Sequence, residues 1–193
     1  MQRRFYSIVL ILLCMLSGPS VLKAQTPIEF NDKLVAITDA LYTKGQDWGK
    51  QFNVAYEAKD FTTLASTRQQ LERFVDQKIS EVKGMKDVKD SKPLRESMTN
   101  FLLFEKGMID RAFKPIEALG KTATEEQIKA AYNNLTTYSK EEQVALQMVN
   151  TAQQAYAKAN GIAYMVIPEA PVRMQKKSYS DNFKFGRGTN WTH

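Results

Sequence analysis

The chain has 193 residues, 27 Lys and Arg against 21 Asp and Glu, a net charge of +6, one cysteine and one histidine. With its only histidine at position 193, it cannot build the paired Glu-x-x-His ligands of a di-iron bundle, a Cys-x-x-Cys-His haem attachment or a histidine–thiolate zinc site. A serine–histidine triad would have to recruit that terminal residue, so enzymatic catalysis is not expected.

The first residues order as a secretory signal. Arg3 and Arg4 precede an apolar run from Ile8 to Leu16, Ser17, Gly18 and Pro19 break it, and Ala24 offers a small residue for cleavage. The run is about half the ~20 residues a spanning helix needs. Cleavage after Ala24 is expected, with cleavage after Ser20 as the runner-up because Leu22 is large for the minus-three position. Arg3-Arg4 suggests a twin-arginine route, but the strong apolar core favours the general secretory one. Cys14 lies within the run and follows Leu13, a poor residue for lipoprotein processing. The expected mature chain of 169 residues therefore holds no cysteine, which removes disulfides and thiolate chemistry together. It is long enough for one domain with its own core.

Charge divides unevenly. Residues 1–24 carry +3, residues 173–193 carry +4, and the body between is near −1. The body thus lacks the field of a nucleic-acid binder.

Four helices are expected in chain order. Leu34, Ile37, Leu41, Trp48, Phe52 and Tyr56 share one face by steps of three, four and seven, with Gly45 in an inward slot that suits close packing or a bend. Asp60 is a candidate N-cap for a second helix whose inward row is Phe61, Leu64, Arg68, Leu71, Val75, Ile79 and Val82, stopped at Gly84. Ser91 and Pro93 start a third, with Leu94, Met98, Phe101, Leu102, Met108, Ala112, Ile116 and Leu119 inward, a kink at Pro115 and a stop at Gly120. Thr124 to Gln127 spells a capping box for the fourth. Its row is Ile128, Tyr132, Leu135, Ser139, Glu142, Leu146, Val149 and Tyr156. The polar middle permits either one continuous helix to Asn160-Gly161 or a break at Thr136–Ser139; a continuous helix with a local irregularity is favoured. The expected fold is all-α, an up-down-up-down four-helix bundle over residues 25–161, with an irregular basic and aromatic tail over 162–193.

Candidate sites are few. Glu125, Glu126, Glu141 and Glu142 read as caps and solvated faces near helix starts. Glu105 falls between the inward Phe101 and Met108, where pairing with the core-facing Arg68 is expected. Trp48, Phe52, Tyr56, Met98, Phe101, Phe104, Met108, Tyr132 and Tyr156 read first as core and second as the lining of an apolar pocket. In the tail, Lys176, Lys177, Lys184 and Arg187 interleave with Tyr179, Phe183, Phe185 and Trp191. That pattern suits an anionic envelope polymer or partner protein better than nucleic acid, given export; docking of the aromatics along the bundle is the competing reading. Asn134-Leu135-Thr136 and Asn190-Trp191-Thr192 match the N-glycosylation pattern, silent in a bacterial host.

Gly45-x-x-Trp48, Asp60-Phe61-x-x-Leu64 and the export signal ending Ala24-Gln25 resemble the uncharacterised secreted helical-bundle surface proteins of Bacteroidota and spirochaetes. The resemblance implies a bundle and an envelope location and transfers no active site. The expected function is a non-enzymatic envelope or surface protein, periplasmic or extracellular, that binds a protein or anionic partner without any cofactor or metal. The alternative is a carrier of an apolar small molecule or lipid inside the bundle; a carboxylate hydrolase is a distant third.

Overall fold

The computed structural model describes residues 25–163. The signal segment 1–24 and the tail residues Lys176, Lys177, Tyr179, Phe183, Lys184, Phe185, Arg187 and Trp191 lie outside the described residues.

The described chain is all-helical. Helix α1 (Pro27–Ala58) opens with a capping box in which Thr26 and Glu29 satisfy each other's backbone amides, with Pro27 in the first turn. It ends at Lys59 in the left-handed region. Asp60 then caps not α2 itself but a short 3-10 turn, Phe61–Leu64, by accepting from the Thr62 amide at 3.2 Å. Helix α2 (Ala65–Gly84) follows directly, and α3 (Lys92–Met108) begins after a polar connector. Ser91 stands at the start of α3 but does not cap it: its hydroxyl accepts from the Val88 amide at 2.8 Å and so tightens the connector instead.

The third helix does not simply kink at Pro115. After Met108 it widens into one π-helical turn, Ile109–Phe113, then returns to α geometry in α4 (Lys114–Glu117). The Lys114 amide bonds to the Ile109 carbonyl five residues back. Proline has no amide to offer its i−4 acceptor, and the wider turn redistributes the bonds around that loss.

Helix α5 (Glu125–Ala159) starts from the expected Thr124–Gln127 capping box and is continuous. Thr136, Thr137 and Ser139 do not break it because each hydroxyl donates to a carbonyl four residues back, at 3.0, 3.1 and 3.0 Å. Gly161, at φ 64°, reverses the chain and the Ile162 amide returns to the Ala157 carbonyl at 2.9 Å.

Packing joins α1 to α2, α2 to α3 and α3 to α5. The inward rows meet in one core that includes Phe30, Leu41, Trp48, Phe52, Val75, Met98, Phe101, Met108, Phe113, Leu135, Val149 and Tyr156. Helices α1 and α5 join at one end, where Phe30 faces Tyr156 at 5.8 Å and Gln153 donates to Asn31 at 2.9 Å. Among the described residues no helix is long and apolar enough to cross a membrane.

Candidate functional site

Two features sit on the seam between α3 and α5: a buried acid, Glu105, beside the half-buried Glu142, and an open apolar cleft.

Glu105 is 3% exposed, held inward on α3 by Phe101 before it and Met108 after it. Its expected partner, Arg68, is engaged elsewhere. Arg68 is buried on α2, where Nε and Nη2 donate to Glu117 at 2.6 and 3.3 Å and Nη1 donates to Glu72 at 2.6 Å. Lys114 bridges Glu72 and Asp110, both at 2.7 Å, so these charges close on themselves beside the α4 turn. Glu105 faces the other way, onto α5, and meets Glu142.

The result is a carboxyl facing a carboxyl with no base between them. Burial raises Glu105 well above the ordinary carboxyl range, and the neighbouring Glu142 charge and hydrogen bond raise it further. Burial pushes Glu142 up to about 7, partly offset by a hydrogen bond from Glu105. One oxygen of Glu105, Oε1, is buried without a hydrogen-bond partner, as is the Trp48 indole Nε1. An orphaned buried acceptor costs about 1–3 kcal/mol, so this seam is not optimised for stability alone.

Glu142 therefore departs from its expected role as a charge near a helix start. With α5 continuous, no helix begins at position 139, and Glu141 and Glu142 lie mid-helix. Glu125 and Glu126 do occupy the first turn, and Glu125 pairs with Lys59 at 3.2 Å.

The interior aromatics pack on one another. Trp48 and Phe113 stack at 3.9 Å with planes 5° apart, Phe52 approaches Trp48 at 5.5 Å and Phe61 at 6.2 Å. Tyr56, Phe104 and Tyr132 are half-buried against the same core. Gly45 is half-buried one turn before Trp48, and Gly49 just after it is buried.

The cleft lies on the outer side of the seam. It encloses about 670 Å³ and is lined by Ser97 of α3 and by α5 residues from Lys140 to Ala155. Val144 and Met148 within it are each 65% exposed. Amide and hydroxyl side chains of Gln143, Gln147, Asn150 and Thr151 flank them. A smaller hollow of about 100 Å³ adjoins it between α1 and α5, with Leu34, Leu146 and Val149 in its wall. From Leu135 to Val149, no intervening side chain of α5 is fully buried.

Sequence reasoning placed both Glu105 and Glu142 on inward faces but did not join them. The joining signal was there: two acids on the inward rows of consecutive helices, with the one inward arginine on a different helix. No protein-family model, curated protein or solved structure matches the chain.

Proposed function

We propose that the chain is an exported, non-enzymatic binding protein of the cell envelope, an up-down-up-down four-helix bundle that receives a segment of a partner protein in the α3–α5 cleft. The observation that carries this reading is the exposure of Val144 and Met148, one turn apart, at the centre of an elongated cleft. From Lys140 to Ala155 the lining runs about 22 Å along the helix axis. That length suits a helix or extended segment laid along a groove rather than a compact small molecule. The flanking amides can bond a polypeptide backbone, while the two apolar side chains receive its anchors. The order of the first 24 residues supports export, as does the resemblance to secreted bundle proteins. The net +4 of residues 173–193 supports attraction to anionic envelope material, with Lys176, Lys177, Lys184 and Arg187 as the charges. The carrier alternative is weaker, because the interior aromatics fill one another's space.

The test compares the full chain with the Val144→Asp/Met148→Asp variant for retention on membrane-envelope protein purified from its own host. At least a tenfold loss of retention with unchanged melting is expected. Equal retention overturns the cleft as the partner site.

A further inference from the structure

Helices α1 and α5 meet at one end, where Phe30 faces Tyr156 and Gln153 bonds Asn31. Farther along, no packing comparable to that of α1 on α2 or of α3 on α5 joins them. The seam they leave holds the hollow of about 100 Å³, with the buried Leu94 of α3 behind it. Leu34, Val35, Leu146 and Val149 make its walls apolar, and Val35 is 37% exposed. The chain turns back towards this seam as it leaves α5. With Gly161 in the left-handed region, the Gly161 and Ile162 amides return to the Lys158 and Ala157 carbonyls at 3.5 and 2.9 Å, and Ile162 is half-buried on the core. Ala157, Gln153, Asn150 and Leu146 follow one another along α5 at steps of four, three and four. The turn therefore sets the chain on the row of α5 that lines the hollow.

We propose that residues 164–172 of this chain lie extended in the α1–α5 seam, closing the bundle and carrying the basic stretch 173–193 towards the start of α5. The proposal stands independently of the partner reading of the α3–α5 cleft.

Width, length, chemistry and charge agree on this occupant. One turn of helix, ~10 Å across and ~5.4 Å high, needs about 400 Å³, so the hollow of about 100 Å³ accepts extended chain and not a helix. Pro168 and Pro171 impose the same form from the sequence, and they bring no amides to satisfy. From Gln153 back to Leu135, α5 covers about 27 Å, which an extended segment crosses in about eight residues. The stretch 164–172 is of that length. Its first half, Tyr164, Met165, Val166 and Ile167, is apolar without interruption and matches the walls. Asn150 in the wall offers an amide to the backbone of the incoming strand. Charge favours the same course. The end where the chain leaves α5 exposes Lys83, Lys86, Lys89 and Lys92 against Asp87 and Asp90, whereas the end where α5 starts exposes Glu57, Glu125 and Glu126. A stretch of net +4 is drawn from the first end to the second. A helix of a second copy is too wide for the seam, which leaves the same segment of a second copy as the competing occupant.

The experiment is disulfide trapping in the full chain carrying Cys14→Ser. Val35→Cys is combined in turn with Met165→Cys, Val166→Cys and Ile167→Cys. The controls pair the same three positions with Thr151→Cys, which is exposed on another face of α5. At least one Val35 pair is expected to close within the chain at least tenfold faster than its control, at a rate independent of protein concentration. A second measurement needs no cysteine. In wild type, a protease of broad specificity should cut within 173–193 at least tenfold faster than within 164–172, and Val166→Asp/Ile167→Asp should abolish the difference. Trapping no faster than the controls overturns the proposal, as does equal cleavage of the two stretches in wild type. Trapping only between chains overturns it too, because the segment would then sit on a second copy.

Discussion

The Asn134 side-chain amide donates to the Arg111 carbonyl at 2.7 Å, and Arg111 is the i−4 acceptor that Pro115 cannot serve. One helix thus supplies from its surface the donor that a proline removed from another. The bond is also a tether, because it fixes α5 to the π turn next to the Trp48–Phe113 stack. Asn134→Ala should cost about 1 kcal/mol, the scale of one net hydrogen bond. In a Pro115→Ala background the backbone can provide its own donor, so the same substitution should cost measurably less. Urea unfolding of the four chains closes the cycle, and an additive result would disprove the coupling.

Arg68 holds two carboxylates, and those bonds lift its own pKa further above the ordinary arginine value. Replacing it by alanine leaves Glu72 and Glu117 facing one another, half-buried, with Lys114 as the remaining cation. A loss of roughly 3 kcal/mol is expected, as for removal of one partner from a buried pair. Arg68→Met, which keeps the stem packed, should recover part of it only when Glu117→Gln is added. Recovery by Arg68→Met alone would make packing, not charge, the role of this side chain.

The helical spans were legible because period and punctuation agreed. Thr124 with Gln127, Gly120 and Gly161 all act where the spacing placed them. The π turn was not legible, because Pro115 announces a missing donor but not how neighbouring bonds rearrange. The fate of Ser91 was hidden similarly: serine before Pro93 reads as a cap, yet the hydroxyl is captured by Val88. The acid pair failed for a different reason. Periodicity puts Glu105 and Glu142 inward, but which inward positions meet depends on the rotation of α5 about its axis. That rotation is fixed by distant contacts such as Asn31–Gln153 and Phe30–Tyr156, which no local pattern reveals. The cleft escaped because Val144 and Met148 fall outside the apolar row and are visible only as exposed exceptions to it.

The acid pair gives stability a pH dependence of definite sign. Glu142 ionises near the ordinary 4.5 when unfolded and near about 7 when folded. A raised folded value means its contribution is complete below 4.5 and is lost as pH rises through about 7, roughly 3 kcal/mol in all. Glu105 acts in the same direction at higher pH. Glu81 and Asp87, lowered by hydrogen bonds from Lys78 and Arg95, act oppositely and withdraw stability as pH falls below about 4. Stability should therefore peak near pH 5 and decline toward 8. The double variant Glu105→Gln/Glu142→Gln should be nearly level between 5 and 8. Urea midpoints at four pH values check this, and a level wild-type profile would rule it out.

The interior aromatics separate a solid core from a ligand chamber. Phe52 is buried between Trp48 and Phe61, so its atoms are contact surface for two other rings. Phe52→Ala removes those contacts and leaves a void that the stacked Trp48–Phe113 pair is too constrained to fill. The expected cost is about 3–5 kcal/mol. Val144→Ser, on a side chain that is mostly in water, should change stability by about 0.5 kcal/mol or less. The contrast matters for function as well as folding. A chamber that normally holds a lipid would be enlarged by Phe52→Ala, and natively purified variant should then release more of a defined apolar compound into organic solvent than wild type. A packed core predicts the opposite pairing: a large loss in the unfolding midpoint, and extracts from both proteins that contain no stoichiometric compound. A single stoichiometric lipid in the wild-type extract would move the ligand site from the surface cleft into the bundle.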